Sequence, residues 1–542
     1  MRKYSILGFI AGAHSCGAAY IVDGKTVAVI EEERLTRVKP HVDYENDFER
    51  YPARSLACLV ERHGLRYDEV DVFASFFPPE NGIGIFRATT GFEIPIEKYF
   101  HVDHHYGHAV LSYHMSGFAD DTLVFCADAS GGINGHSSRT YLGSGGRLSY
   151  IDGIATDRVS LGHFYAALTE LVGFKRLKDE GKVVGLSGHG SIWGDLYSVW
   201  SPVLSIEGTK TRRDTHRIEA GGVYLELYRT FFELVGSKNW KHKGALQNIA
   251  CTGQRLFEDK VVELIRNYHA AAPQCRRIAL SGGIFANVKL NKRVNEMPEF
   301  DEVFVLPPMG DEGLALGCAV AAMYDRDHEV KPEAVGTMYL GNHYGGDAVR
   351  SASDGFEMRE LDVKSVVDMI QAGKILGLYQ GRSEHGPRAL GNRSIVCEAT
   401  GAETYSRLNG RLMRNDYMPF APAVLDEDAE RIFNVGKSPR CCRFMTMLVD
   451  TREEWRERIP TVVHPVDKTA RIQIVSFESN PLFYAILREY KSRVGFGVLV
   501  NTSFNVHEEP IVERPEEAFR HLRSGIVDAL VTSHGIFSLG VQ

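Results

Sequence analysis

The sequence predicts an α/β protein of two domains, the first of them duplicated about a cleft. Three observations lead there. A chain of 542 residues exceeds what one hydrophobic core supports and should divide into two or three domains. Residues 4–33 (YSILGFIAGAHSCGAAYIVDGKTVAVIEEE) and 122–152 (TLVFCADASGGINGHSSRTYLGSGGRLSYID) share one plan of strand, small-residue turn, strand, turn and strand. Such a repeat suggests two related halves with turn amides aimed at a phosphate. Finally, a polar, glycine-containing stretch at 326–358 precedes a second α/β unit, which places the expected division between 1–350 and 351–542.

The elements follow in order. The start, Met1-Arg2-Lys3 before YSILGFIAGA, superficially resembles a signal peptide. Its apolar run is short and leads into an alternating hairpin around Asp23-Gly24, so a buried first strand is the expectation. Residues 52–64 (PARSLACLVERHG) have apolar spacing close to 3.6 and stop at glycine, as a helix does. Residues 246–270 read as a longer amphipathic helix. RIALSGG is a buried strand ending in a glycine pair, followed by a helix from Asn287. After Asp311, EGLALGCAVAAMYDR reads as an apolar helix. Past the boundary come the helix SVVDMIQAG and the strand KILGLYQG.

Composition narrows the function. Hydrophobic content of 44% with 24% charged residues excludes disordered and fibrous classes. A formal charge of −8 argues against a protein that tracks nucleic-acid phosphates. The nine cysteines form no C-x-x-C pair, which fits reduced thiols in the cytoplasm and removes a zinc ribbon. No stretch approaches the ~18 apolar residues of a membrane span, so a soluble, cytoplasmic protein is expected.

Several constellations carry chemistry. His104 and His108, within DHHYGHAVLSYH, are four apart and share a face if helical, giving either two surface histidines or a metal platform. Asp128 closes the strand TLVFCAD before a glycine turn (Gly131, Gly132); it reads as a ligand or as a turn aspartate bonding its own backbone. Asp311, in LPPMGDEGLALG, reads as a ligand or as a helix N-cap. Together two histidines and two aspartates make an N/O site suited to Fe²⁺, Mn²⁺ or Zn²⁺. In LSGGIFANVKLN, Gly282 and Gly283 let a ligand approach the backbone, and the helix opening at Asn287 favours a phosphate or purine edge. His14, in the turn AGAHSCG, is a structural histidine or a general base. The second part is rich in cations: Arg382, Arg388 and Arg393 among glycines, Arg407, Arg411 and Arg414, and Arg471 opening the strand RIQIV. Arginines so placed suit planar binding of phosphate or carboxylate. In LVNTSFNVHEEPIV, alternation puts Asn501, Ser503 and Asn505 on one face.

In this order, these motifs resemble the NodU/CmcH-type O-carbamoyltransferases of nodulation-factor, cephamycin and aminoglycoside biosynthesis. The landmarks also include EEERLTRVK (31–39), DEGKVVGLSGHG (179–190), GRSEHGPRALGNRSI (381–395) and MPFAP (418–422). The resemblance implies an N-terminal Kae1-like domain of sugar-kinase/actin-like, duplicated fold and a C-terminal YrdC-like α/β domain. It implies metal ligation by His104, His108, Asp128 and Asp311, with iron the first expectation, and His14 and Lys39 as catalytic residues. Gly131, Gly132, Gly282, Gly283 and Asn287 would bind nucleotide. Arg388, Arg393, Arg414, Arg471, Asn501, Ser503 and Asn505 would hold carbamoyl phosphate and ATP, the latter with Mg²⁺. Many members carry an arginine directly before Pro-Phe-Ala-Pro and a lysine six residues upstream. Here those places read Met418 and Leu412, and Arg411 or Arg414 is expected to supply the charge.

The activity implied is ATP-dependent carbamoylation of a hydroxyl on a small-molecule acceptor, through carbamoyl-adenylate. The expected partners are carbamoyl phosphate, ATP and that acceptor, with no membrane and no nucleic acid, and a homodimer stays compatible with the sequence. A tRNA-modifying threonylcarbamoyl transferase would share the H-x3-H and aspartate motifs but normally lacks a fused YrdC-like half. A hydrogenase-maturation carbamoyltransferase would carry cysteine-paired zinc fingers. A non-catalytic regulator on the same scaffold would have lost the metal quartet or the arginine set.

Overall fold

A computed structural model describes residues 4–12, 15–39, 51–131, 135–155, 160–204, 206–207, 210–211, 243–326, 331–413 and 419–540. The first repeat folds as strands β1 (Ser5–Ile10), β2 (Gly17–Val22) and β3 (Lys25–Glu31), which pair as an antiparallel meander. Strands β4 (Val72–Ser75) and β5 (Tyr99–His101) add on in parallel, giving the order β3-β2-β1-β4-β5. The second repeat does the same. Strands β6 (Thr122–Ala127), β7 (His136–Ser144) and β8 (Arg147–Ala155) form the meander. Strands β9 (Arg277–Ser281) and β10 (Glu302–Val305) continue it in parallel, in the order β10-β9-β6-β7-β8. Two sheets of identical connectivity make the duplication a structural fact. Central strands β1 and β6 read as unbroken apolar runs and are buried along their whole length, as strands covered on both faces must be.

Helix α1 (Glu32–Thr36) continues directly from β3. The expected helix at 52–64 is α2 (Ala53–His63), closed by Gly64 at φ +68°, the left-handed C-cap conformation that glycine adopts without steric cost. Two helices fill the space between the sheets: α3 (His104–Ser116) and, later in the chain, the apolar helix Leu314–Arg326. One core joins Ile6, Ile10 and Ala19 of the first sheet to Val124, Cys126 and Ala279 of the second through Val110, Leu111, Leu316 and Ala319 of these helices. The helices touch where Gly107 meets Gly317. A Cβ at Gly317 would stand 2.5 Å from the Gly107 carbonyl oxygen. That contact, closer than any side chain allows, sets the two helix starts side by side.

The long amphipathic helix is α4 (Lys243–Ala271). Asn287 does not begin the next helix but caps it. A 3-10 turn (Gly283–Ala286) intervenes, and Asn287 Oδ1 accepts from Leu290 N to open α5 (Val288–Asn295); the helix Leu314–Arg326 is α6.

Residues 357–538 build an eight-stranded mixed sheet with its own core. Its centre pairs β11 (Leu376–Tyr379) with β12 (Arg393–Glu398), and β12 with a later strand, Val498–Ser503. The predicted helix before β11 spans Val363–Gln371. Tyr344 and Val349 belong to this core, while Cys441 and Met447 pack into the core of the second N-terminal sheet. All nine cysteines are free thiols. Among the described residues no helix is long and apolar enough to cross a membrane.

Candidate active site

The Gly107–Gly317 crossing has a chemical consequence. His104 and His108, one turn apart at the start of α3, come to face Asp311 in the short 3-10 turn Asp311–Gly313 that leads into α6. Asp128, just past the end of β6, faces them from the second sheet. The ligand atoms of these four residues all lie within 4.8 Å of one another. His104 Nε2 is 3.5 Å from Asp311 Oδ1 and 3.7 Å from Asp128 Oδ2, and His108 Nε2 is 3.4 and 3.5 Å from the same two oxygens.

These separations exceed those of good hydrogen bonds. They match the ~3.4 Å edge of a tetrahedron whose donors stand ~2.1 Å from a central ion. The orphan atoms point the same way: Nε2 of His104 and Oδ2 of Asp128 are buried without a hydrogen-bond partner. Buried acceptors converging on one point are costly unless a cation occupies it, so this donor set fits a divalent transition metal.

Asp311 makes no side-chain cap; Gly310 is the N-cap of its turn. Among the described residues Asp128 bonds no backbone of its own turn, and its Oδ1 accepts from Gly283 N, far along the chain. Burial alone would raise the Asp128 carboxyl, but the imidazoles of His108, His104 and His105 hold it well below its ordinary value. Asp311 is likewise lowered, burial being outweighed by His104 and His108. His104 moves upward, because the two carboxylates outweigh its burial.

His105 was not singled out by spacing, since it lies off the i,i+4 face. It is nevertheless buried with its Nε2 3.8 Å from Asp128 Oδ2, and burial drives its pKa down to about 3, which keeps the ring neutral. The doublet His104-His105 was the available signal. Gly131 makes room for this ring: a Cβ there would come within 2.0 Å of it. Gly282, at φ +97°, packs on the Ala127 carbonyl, so the glycine pair joins β9 to the Asp128 turn. Asn287 is spent within the protein, exchanging hydrogen bonds with Gln254. His14, Gly132, Arg414 and Met418 lie outside the described residues.

A second site lies where the two units meet. A cavity of about 190 Å³ is lined by Lys39 of the N-terminal unit and by Arg388, Arg471, Asn501, Ser503 and Asn505 of the C-terminal unit. Asn501 and Ser503 belong to β13 (Val498–Ser503, after the β12 it pairs with), and Asn505 reaches the cavity from the turn beyond it rather than from the strand. Asn501 Nδ2 donates to Ala389 O at 3.2 Å and to Gln473 Oε1 at 2.6 Å, which fixes its amide beside the Arg388 loop.

Other predicted cations are engaged elsewhere. Arg393 is fully buried, donates to Gln380 O, Asn392 O and Gly381 O, and lies 4.0 Å above the Tyr379 ring. Arg411 pairs with Asp528 at 3.0 Å, so the charge at the Leu412 position is not restored from there. Lys39, which reaches the cavity alongside Leu412, is the lysine present.

The carbamoyltransferase N-terminus model matches residues 90–320, and the carbamoyltransferase C-terminus model matches residues 367–538. An uncharacterized protein of Methanocaldococcus jannaschii is 31% identical, covering 79% of this chain and 72% of its own. The chain belongs to the carbamoyltransferase family. Nodulation protein NolNO of Sinorhizobium fredii is 29% identical, over 96% of this carbamoyltransferase and 78% of NolNO. The 3'-hydroxymethylcephem-O-carbamoyltransferase of Streptomyces clavuligerus is also 29% identical, over 70% of this enzyme and 67% of its own length. Among solved structures, full-length HypF in its phosphate- and nucleotide-bound form aligns at 16% identity with a TM-score of 0.34, over 59% of this chain and 46% of HypF, too distant to bear on function.

Proposed function

We propose that the enzyme transfers the carbamoyl group of carbamoyl phosphate to a hydroxyl of a small-molecule acceptor, using ATP and passing through carbamoyl-adenylate. The observation that carries this is the pairing of two sites: a cavity into which Lys39, Arg388 and Arg471 converge, and a separate four-donor quartet in the other unit. At about 190 Å³ the cavity is smaller than the ~300–1,000 Å³ typical of drug-sized ligands, so it suits carbamoyl phosphate and the reacting end of ATP rather than the whole nucleotide.

In the C-terminal unit, water cleaves carbamoyl phosphate to carbamate and phosphate. A carbamate oxygen then attacks the α-phosphorus of Mg²⁺-ATP and displaces pyrophosphate. Both steps crowd anionic oxygens together, which Arg388, Arg471 and Lys39 would stabilise while Asn501, Ser503 and Asn505 orient them. The adenylate hydrolyses readily in water, so placing the cavity against the N-terminal unit suits direct passage.

There the acceptor oxygen attacks the carbamoyl carbon, AMP departs with the bonding pair, and His14 takes the hydroxyl proton. A divalent metal held by His104, His108, Asp128 and Asp311 would supply Lewis acidity to the adenylate phosphate or to the carbamoyl oxygen. The cephem relative acts, by its name, on a hydroxymethyl group, which supports an alcohol as acceptor here.

The test separates the half-reactions. Arg471→Ala should stop carbamoyl-phosphate-dependent ATP–pyrophosphate exchange. His14→Asn should preserve exchange and lose acceptor carbamoylation by ~10²–10⁴-fold. Formation of ADP in place of AMP and pyrophosphate, or a stable His14→Asn enzyme transferring at the wild-type rate, would refute the scheme.

A further inference from the structure

The segment Glu31–Lys39 (EEERLTRVK) supplies one side chain to the anion cavity, yet its remaining charged groups grip both units. Helix α1 has five residues, too few to persist alone. Glu32 ties it to the N-terminal unit by accepting from Arg54 N at 3.0 Å and Ser55 N at 2.7 Å, two orphan amides at the start of α2. Its neighbours reach the other way. Glu31 Oε1 accepts from Gly386 N at 2.6 Å and stands 2.8 Å from His385 Nδ1. Arg34 donates to Glu31 Oε2 at 3.1 Å and to Gly386 O at 2.8 Å. Both peptide groups of Gly386 are therefore held by residues of the N-terminal unit. Arg37 donates to Pro510 O and Ile511 O, at 2.6 and 2.7 Å, just beyond the cavity residues 505–508.

Gly386 lies two residues before Arg388. Its φ of +102° is a left-handed conformation natural to glycine, and a Cβ there would stand 3.4 Å from Pro308, in the same loop as Asp311. On the far side of Arg388, Glu384 Oε1 accepts from Leu390 N, Asn392 N and Arg393 N at 2.7, 2.9 and 3.1 Å. Arg388 is thus carried on a short arch with fixed feet, one of them anchored outside its own unit.

We propose that Glu31 is a positioning residue for adenylate formation: through Gly386 and His385 it sets the place of Arg388 in the anion cavity. The inference rests on the carbamoyl phosphate reading of that cavity. Burial would push the Glu31 carboxyl upward, but Arg34 and His385 hold it well below the usual carboxylate range, so it stays an ionised acceptor. Without it, the buried Gly386 N–H would lose its partner and Arg34 one of its own, and the arch would relax.

The experiment uses the full chain and the pyrophosphate-exchange assay, with Glu31→Ala, Glu31→Gln, Glu32→Ala and Arg388→Ala, and records thermal midpoints alongside. Glu31→Ala should raise the KM for carbamoyl phosphate about tenfold, the size expected from a lost charged hydrogen bond. The KM for ATP should stay within about twofold, since uniform binding of one substrate alone is removed. Glu31→Gln, whose amide oxygen still accepts from Gly386 N, should recover most of the loss. Glu32→Ala should lower the midpoint without moving either KM. An unchanged KM in Glu31→Ala beside a raised KM in Arg388→Ala overturns the inference alone. Equal KM rises in Glu31→Ala and Glu32→Ala, tracking lost stability, also overturn it. An unchanged KM in Arg388→Ala instead overturns the cavity reading beneath it.

Discussion

Replacing Asp311 with asparagine should separate metal binding from folding. The oxygens of Asp128 and Asp311 lie no more than 4.8 Å apart, so with both carboxylates ionised and no cation between them they repel. At 4.8 Å and an effective dielectric constant of ~20, the repulsion is about 3.5 kcal/mol. Asp311 is 32% exposed, and screening brings the figure to about 1–3 kcal/mol. At about pH 9, where imidazoles carry little charge, chelated Asp311→Asn protein should therefore match or exceed the wild-type melting midpoint, although a buried polar contact has been altered. Metal should have the opposite effect. Fe²⁺, Mn²⁺ or Zn²⁺ at a hundred times its dissociation constant should stabilise wild type by about 2.7 kcal/mol. The variant, lacking one of four donors, should gain far less and purify with little metal. Elemental analysis and calorimetric melts with and without chelator read both arms. Equal metal content in the two proteins, with a lower midpoint for the chelated variant, would show that Asp311 is structural and would refute the site.

Arg393→Ala should destabilise the protein by roughly 3–5 kcal/mol, because it opens a cavity above Tyr379 and removes a donor from each of three carbonyls. The carbamoyl phosphate KM of the surviving enzyme should not move, and a raised KM at unchanged stability would contradict the placement. Asp467 bridges the units, 3.1 Å from His464 and 3.2 Å from Lys289. Burial would raise its carboxyl, but His464 and Lys289 hold it well below its unfolded value, so its contribution is present above about pH 4 and lost as pH falls through the folded value. Asp467→Asn should flatten the acid limb of the melting midpoint below about pH 4, and an unchanged limb there would exclude the linkage.

Much of the fold was legible because it is written in local periodicities. The strand–turn–strand repeat announced a duplication that the two sheets of like order display. The helix at 52–64 stops at Gly64 as its spacing required, and the motif order announced the family. The cation set was legible only as a set. Arg388 and Arg393 stand five residues apart among the same glycines, yet one lines the cavity and the other is sealed over Tyr379. Nothing in their local sequence distinguishes them, because burial is decided by what packs above each. His105 is illegible in the sequence for a similar reason. Helical spacing places it off the ligand face, and only the second sheet brings Asp128 within 3.8 Å of it.

By itself, then, the sequence determined the residue types and the short-range geometry: His104 above His108 on one helix face, an aspartate at each of two turns, and glycines where backbone must pass close. Tertiary structure alone decided which of these meet. The quartet exists because Gly107 and Gly317 let two helices touch, and the cavity of Arg388 and Arg471 is composite because Glu31–Lys39 reaches it from the N-terminal unit. Hydrogen-bonding and packing partners hundreds of residues apart leave no periodicity in the chain. They are selected by the shape and burial of surfaces that exist only once both units have folded.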